Sequence, residues 1–311
     1  MEEQSCKEIE SITFGIFSPE EIKKQSVCLV QSNKLQGKES VYDERMGTLE
    51  QNIPCASCNQ DCEKCPGHFG HIELNVLIMH PMYHRQIVNF LKCFCFKCYR
   101  FILTKDHLES ILKYKSEARF LKILERLEKE DSCFHGDCQH IKPKVSYNAN
   151  EGIINIAYND KSKNVVKTQL KEEEIKKIFD NVSNDDVRLL GFDPGLLHPK
   201  NLILSVLPVL PPISRPYVVS ESVTCDDDLT TQYLEIIKTN NHLKDEDIQE
   251  VKKNKLIQTL KFRIKTLMNN SQGKARHTNG KALRAIKERI SGKEGLIRSH
   301  LMGDEEVWVL F

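Results

Sequence analysis

Cys55-Ala-Ser-Cys58 is followed, six residues later, by Cys65-Pro-Gly-His68, and the spacing of these four side chains decides how this part of the chain folds. Two ligands separated by two residues can reach one ion from a tight turn, and a short run between the pairs lets the second pair close a tetrahedron. Cys55, Cys58, Cys65 and His68 therefore suit one zinc ion. Gly67 fits the turn between the last two ligands, where a side chain would crowd the metal.

A second set follows. Cys95-Phe-Lys-Cys98 repeats the spacing, and Cys133-Phe-His-Gly-Asp-Cys138 lies about a helix's length further on. Cys95, Cys98, Cys133 and Cys138 can thus converge on a second zinc. Free cysteine is often buried as a small apolar residue, but paired spacing argues for metal instead. Cys6, Cys28, Cys62, Cys93 and Cys225 are left over. Cys62 and Cys93 adjoin the paired cysteines and read as spare thiols, with alternative ligation left open. His71 and His135 are near-misses.

At 311 residues and 40% apolar content the chain is long enough for one large or two modest domains with a real core. No apolar stretch approaches the length needed to cross a bilayer, and Glu2, Glu3 and Glu10 do not suit a signal peptide. The expectation is an intracellular chain with no membrane partner. In a reducing compartment, twelve cysteines are better used as metal ligands than as a disulfide framework. The net charge of +1 predicts no nucleic-acid partner by itself, so only the local charge distribution can.

Residues 1–50 read as short strands and turns, with Ile12, Phe14 and Ile16 alternating before Ser18-Pro19. Ile72, Leu74 and Val76 alternate as a strand, and Pro81 to Lys92 has helical rhythm. A helix is expected over 105–130, from Leu108, Ile111, Leu112, Leu121, Ile123, Leu124 and Leu127. A strand through Ile154, Ile156 and Tyr158 precedes a helix from about Lys171 to Phe179.

Beyond position 200 the texture changes. Pro208, Pro211, Pro212 and Pro216 exclude regular helix and demand a stiff, extended loop. Asp226, Asp227 and Asp228 place negative charge at a helix start, where the dipole favours it. Two amphipathic helices, about 227–239 and 246–269, follow. Leu229, Tyr233, Ile236 and Ile237 are expected to face Ile248, Val251, Leu256, Leu260 and Ile264 in an antiparallel hairpin. Last come Lys274, Arg276, Lys281, Arg284, Lys287, Arg289, Lys293 and Arg298, against only Glu288 and Glu294. Such a run is often a solvated surface. Here glycines at 273, 280, 292 and 295 would let backbone and basic side chains approach a phosphate chain.

Several of these motifs, in this order, resemble the clamp of the largest subunit of multisubunit DNA-dependent RNA polymerases. Asp43-Glu-Arg45-Met-Gly47 with the first cysteine set and Gly67-His-Phe-Gly-His71 is one. Leu190-Gly-Phe-Asp-Pro194 followed by Leu204 through Pro216 resembles the entry to the element called the lid, and Arg289 through Gly303 resembles switch 2. The resemblance runs from about residue 8 to Gly303. It implies an α+β fold, a zinc-stapled RNA polymerase clamp with a helical hairpin (the clamp coiled coil). The implied divisions are a zinc-binding clamp core and head at 1–200, a lid-like loop at 201–225, the hairpin at 226–271, a rudder-like and switch 2-like segment at 272–303, and a divergent end at 304–311.

By position, the resemblance assigns the two cysteine sets to two clamp zinc ions, Zn2+. It assigns Lys274, Arg276, Lys281, Arg284, Arg289, Lys293 and Arg298 to nucleic-acid binding, with Gly273 to Arg284 beside the hybrid. It implies a DNA-directed RNA polymerase that works with the second-largest and other subunits, the remainder of the largest subunit, initiation and elongation factors, DNA and RNA. The four-residue gap between Cys133 and Cys138 is similar to that in large cytoplasmic DNA viruses, which makes the expected compartment the nucleus, or the cytoplasm or virion if the chain is viral. Asp304-Glu305 lacks the neighbouring aspartates that a two-metal nucleotidyl transfer requires, so no catalytic residue is expected in this chain and magnesium (Mg2+) would be bound only in the complete polymerase. The expectation is a split or truncated largest subunit, or one piece of an interrupted gene. A freestanding zinc-binding adaptor or decoy is the alternative. A thiol oxidoreductase would need a cysteine pair opening a helix in a thioredoxin-like unit, and neither pair is so placed.

Overall fold

Apolar alternation, proline placement and metal-ligand spacing each leave their mark on the computed structural model, which describes residues 13–104, 107–149, 152–159, 165–220, 223–245 and 247–301. Cys6 and the divergent end at 304–311 lie outside the described residues. In chain order the elements begin with α1 (Pro19–Gln25), β1 (Cys28–Leu29), β2 (Gly70–Met79), α2 (His84–Leu91), α3 (Ser116–Leu127), β3 (Lys144–Asn148), β4 (Ile153–Asn159) and β5 (Val165–Leu170). They continue with α4 (Glu172–Asp180), α5 (Asn184–Leu189), β6 (Ile203–Val209), β7 (Val218–Ser220), β8 (Val223–Cys225), α6 (Asp228–His242), α7 (Glu250–Met268) and α8 (Ile286–Ile290). Two compact units result. One comprises Arg85–Ile203 with the segment ending at Ser18, the other Pro19–His84 with the chain from Leu204 onward. The span 1–200, expected to hold the clamp core and head, is thus divided between them. No described helix is long and apolar enough to cross a membrane.

In the first unit, β3, β4 and β5 form an antiparallel sheet in which Ile154 pairs with Tyr147 on one side and Leu170 on the other. Helices pack through aromatic side chains: the Phe90 ring lies 5.1 Å from Phe120 and 5.7 Å from Phe192, while Phe120 and Phe192 are 5.0 Å apart. Such edge and tilted contacts add specificity to the area they bury.

The helix expected over 105–130 is shorter. It starts at Ser116, because the chain passes through extended Lys115 (φ −117°, ψ 152°) and left-handed Ser116 (φ 46°), which no continuous helix accommodates. Leu108 and Ile111 are nonetheless buried, from turns, and Lys105 lies outside the described residues. The strand expected near Phe14 is also absent from residues 13–18, where Phe14 is 80% exposed, and Ile12 lies outside the described residues. Proline at the first turn, Glu20 and Glu21 behind it and Lys23 and Lys24 at the far end instead make Pro19–Gln25 a helix.

In the second unit β2 lies between β1, which it pairs in parallel, and β6. Ile72 and Ile78 are buried and Leu74 and Val76 half-buried on one side of β2, as a period of two requires. Against them pack Leu229, Tyr233, Ile236 and Ile237 of α6 and Leu260, Ile264 and Leu267 of α7. The hairpin is as expected at its base and not towards its tip: Val251 is 69% exposed, and Ile248 only half-buried. The end of α6 is stitched to β2 by amides, with Asn75 N–H donating to Asn240 Oδ1 at 2.9 Å and Asn240 Nδ2 donating to the Glu73 carbonyl at 2.8 Å.

Arg215 is the largest of the fully buried side chains. Its guanidinium donates to the Leu210 carbonyl and to Thr230 Oγ1 at 2.9 Å each, and to the Val41 carbonyl. It also lies 5.3 Å from the centre of the Tyr42 ring and 5.7 Å from that of Tyr233. Burial pushes the guanidinium below its ordinary pKa, but three acceptors and two ring faces keep it satisfied. This one side chain joins its own proline-rich loop to α6 and to the distant segment at Val41.

Arg215→Met, which keeps the bulk and removes the fork, is expected to lower stability by about 3 kcal/mol, since Thr230 and two carbonyls are deprived of a charged donor. Tyr233→Phe, which removes the hydroxyl between Leu210 and Pro208, should lower it by only about 1 kcal/mol. Urea unfolding followed by circular dichroism measures both; equal effects would contradict the central role of Arg215.

Candidate metal centres and basic segment

Both cysteine sets close. In each of the groups Cys55, Cys58, Cys65, His68 and Cys95, Cys98, Cys133, Cys138, the four ligand atoms lie within 4.8 Å of one another. Tetrahedral zinc with sulfur at its usual bond length places ligand atoms about 3.6–3.8 Å apart. The separations fit: Cys95 Sγ to Cys138 Sγ is 3.6 Å, Cys98 Sγ to Cys133 Sγ 3.8 Å, and Cys65 Sγ to His68 Nε2 3.7 Å. Cys62, Cys93, His71 and His135 lie outside both groups. Cys93 is buried and donates to the Asn89 carbonyl, His71 bonds Ser26 at 2.7 Å, and His135 Nε2 donates to the Phe101 carbonyl at 2.9 Å.

The two sites use one backbone device. Cys55 N–H donates to the Gln60 carbonyl and Asn59 N–H to the Cys55 carbonyl; Cys95 N–H donates to the Arg100 carbonyl and Tyr99 N–H to the Cys95 carbonyl. The residue after the second cysteine is left-handed in both, Asn59 at φ 56° and Tyr99 at φ 58°. The turn aims backbone N–H groups at sulfur: Ser57 to Cys55 Sγ and Lys97 to Cys95 Sγ, each at 3.4 Å. Gly67 does the same for Cys65 at 3.4 Å. These donors favour thiolates, the form that binds metal. Between Cys133 and Cys138 the wider gap keeps the same closure, Cys133 N–H donating to the His140 carbonyl and left-handed Gln139 (φ 45°) following the second cysteine, but Gln139 N–H donates to the His135 carbonyl instead of to that of the first cysteine.

Crowded together, Cys133 and Cys98 are shifted in opposite directions. Burial pushes Cys133 up to about 12, helped by the charges of Cys95 and Cys98. At Cys98 burial acts upward too, but the Arg100 backbone and side chain and the neighbouring thiols outweigh it and bring Cys98 down to about 7. A bound dication removes this conflict by favouring all the deprotonated forms together.

The first centre is seated on its neighbours. Ser57 Oγ donates to the Arg45 carbonyl at 2.6 Å, His68 N–H to the Met46 carbonyl at 3.0 Å, and Asp43 grips Arg45 with both oxygens, at 2.9 and 2.7 Å. Gly67, at φ 79°, lies so close to the proline-rich loop that a Cβ there would sit 2.7 Å from Pro211 Cβ and 2.8 Å from Ile213 Cγ2. Crowding of the metal is thus one reason for glycine at this position, and the proline loop is a second.

The basic segment is folded rather than loose. Asn270, buried, accepts from Ala275 N–H and donates to the Ala275 and Leu283 carbonyls, closing a loop that an Arg276–Ala282 bridge narrows. Asp228 of α6 anchors that loop through His277 Nε2 and Arg284 N–H, both at 2.7 Å. Lys274, Lys281, Arg284, Lys293 and Arg298 are exposed, and their side chains enter no ion pair among the described residues. Arg276 is turned onto its own loop, donating to the Gly273 and Gly280 carbonyls. Arg289 pairs with Asp227, an acceptor whose place in the sequence marks only a helix start.

Mixed helix and strand units, each with a thiol-rich group that could hold a metal ion, and a helical hairpin beside a folded basic loop, are the class of protein these observations define. The family model for RNA polymerase Rpb1, domain 1, matches residues 6–301, and the chain belongs to that family. It is 35% identical, over 97% of its length, to a probable DNA-directed RNA polymerase II subunit RPB1 homolog of Invertebrate iridescent virus 6. It is 33% identical over 96% of its length to the DNA-directed RNA polymerase II subunit RPB1 of Euplotoides octocarinatus, and 32% over 96% to the subunit Rpo1N of Sulfolobus acidocaldarius. The chain spans 36% of the viral and Sulfolobus relatives and 67% of the Euplotoides one.

Gly67→Ala is expected to destabilise the chain by about 2 kcal/mol, from left-handed strain plus the clash with Pro211 and Ile213. Gly37→Ala, also left-handed (φ 101°) but with nothing within 4 Å of the added Cβ, should cost about half as much. Thermal unfolding of the two variants side by side checks this; equal shifts would mean that packing on the proline loop contributes nothing.

Proposed function

We propose that this chain forms the clamp part of the largest subunit of a DNA-directed RNA polymerase, holding template DNA and the RNA–DNA hybrid during transcription. The observation that carries the reading is the family match across residues 6–301. In this reading the second-largest and other subunits and the remainder of the largest subunit assemble around the chain, and initiation and elongation factors dock on the hairpin of α6 and α7. Nucleotidyl transfer and its magnesium belong to other parts of the enzyme; the chain spans only 36% of the viral and Sulfolobus relatives. The 35% identity to a viral relative supports a viral polymerase working in cytoplasm, virion or nucleus.

Both metals are zinc in this reading. Zinc is redox-silent and holds thiolates in a fixed tetrahedron, so it acts as a cross-link, most of all in the 48–69 loop, where only the ligands Cys55 and Cys65 are buried. Purified protein is expected to contain two zinc ions per chain by elemental analysis, with Cys58→Ser and Cys98→Ser each reduced to about one. A single zinc in the parent, or an unchanged content in either variant, would remove the assignment.

Lys274, Lys281, Arg284, Lys293 and Arg298 contact phosphates without reading sequence, in line with exposed side chains that enter no ion pair among the described residues. Replacing the five with Ala is expected to weaken binding about equally on unrelated duplexes. The slope of log affinity against log salt should also become shallower, by roughly 0.9 for each phosphate that is no longer neutralised. A solvated charged face would leave both quantities unchanged.

A further inference from the structure

The charge pattern groups Arg289 with the phosphate-binding cations, and its surroundings assign it other work. Both Asp227 oxygens accept from Arg289 Nη2, at 2.7 and 2.6 Å, and Arg289 Nη1 donates to the Ser214 carbonyl at 3.2 Å. The pair is largely sheltered, with 27% of the arginine and 15% of the aspartate side chain exposed. Arg289 Nε is buried without a partner among the described residues, so the fork faces inward over most of its length. Asp227 Oδ1 also accepts from Leu229 N–H at 2.8 Å, as the cap of α6. One carboxylate thus joins the start of the helical hairpin to α8, and one guanidinium joins α8 to the end of the proline-rich loop.

We propose that Arg289 is a positioning residue, a latch that fixes the switch 2-like segment against the base of the hairpin, and does not itself contact phosphate. The proposal rests on the reading that this basic segment binds nucleic acid, and concerns how the segment is held. A latch and a phosphate contact differ in the sign of what Asp227 does. If Arg289 served phosphate, Asp227 would be a competitor and a nearby like charge, and neutralising it would leave binding unchanged or tighten it. If Arg289 is a latch, removing either partner adds an ordering cost before the neighbouring Lys293 and Arg298 can engage. The contacts in the complex would be the same, so the salt slope would not move.

Asp227→Asn and Arg289→Lys separate the two cases. Asn keeps the oxygen that caps α6 and lacks the charge. Lys keeps the charge and lacks the two-pronged geometry. The probe is fluorescein-labelled duplex DNA of mixed sequence, titrated with the full chain at several salt concentrations. Each variant is expected to bind about three- to tenfold more weakly with an unchanged salt slope, and the double variant no more weakly than either single one. Amide hydrogen exchange of 286–290, measured without DNA, should speed up in both variants.

Arg289→Lys binding like the parent, Asp227→Asn binding equally or more tightly, or a shallower slope in Arg289→Ala, would each overturn the latch and make Arg289 a phosphate contact. Unchanged exchange in both variants would overturn it independently of DNA. Failure of the parent chain to bind DNA would instead sink the functional reading beneath it, and the exchange measurement would still decide the latch.

Discussion

In each unit four ligand atoms are held within bonding reach of one point, a constraint that apolar packing alone would not impose on the loop of the first centre, which is poor in buried side chains. Between Thr48 and Phe69 the buried residues are the two ligands Cys55 and Cys65. Once those ligands are fixed, the left-handed turns at Asn59 and Tyr99 and the N–H groups aimed at sulfur follow. The Asp43 to Gly47 loop then has a surface to close on, and Gly67 brings the proline-rich loop into contact. In the proposed reading, metal chemistry in the 48–69 loop takes the place that a larger hydrophobic core would occupy.

From the first centre a continuous series of contacts runs through the second unit. Gly67 meets Pro211 and Ile213; Ser214 accepts from Arg289; Arg289 grips Asp227; Asp227 caps α6, whose Thr230 receives Arg215. Arg215 returns to Leu210 and Val41, closing the circuit. The polar part of this series is sheltered, so its pairs are screened far less by salt than exposed pairs such as Lys23 with Glu73. In the proposed clamp, this arrangement ties the helical hairpin, the lid-like loop and the basic segment to one metal-braced base.

Much of this was legible in sequence because metal geometry and secondary-structure periods are local. The cysteine spacing pointed to the two groups of four side chains that the structure brings together, and alternation pointed to β2 and β4. The helical rhythm of α6 and α7 emerged with their packed faces as far out as Leu256. What stayed hidden has two causes. Some elements carry little apolar signal: α1 buries only Ile22 and is made a helix by its proline and charges. Leu108 and Ile111 keep a helical rhythm while buried from turns, because the pattern reports burial and not backbone angle. Other features join distant positions. Nothing near Arg289 in the sequence points to Asp227, and Arg215 could be read only as part of a proline-rich motif, since the acceptors that make its burial tolerable come from three segments.

The central claim is that two metal ions, bound through seven thiolate sulfurs and one imidazole nitrogen, hold this chain in shape. Zinc-edge X-ray absorption on the purified protein tests it directly. The account expects a coordination sphere dominated by sulfur at about 2.3 Å, with a minor nitrogen component at about 2.0–2.1 Å. A sphere dominated by oxygen and nitrogen would contradict the assignment of these eight side chains.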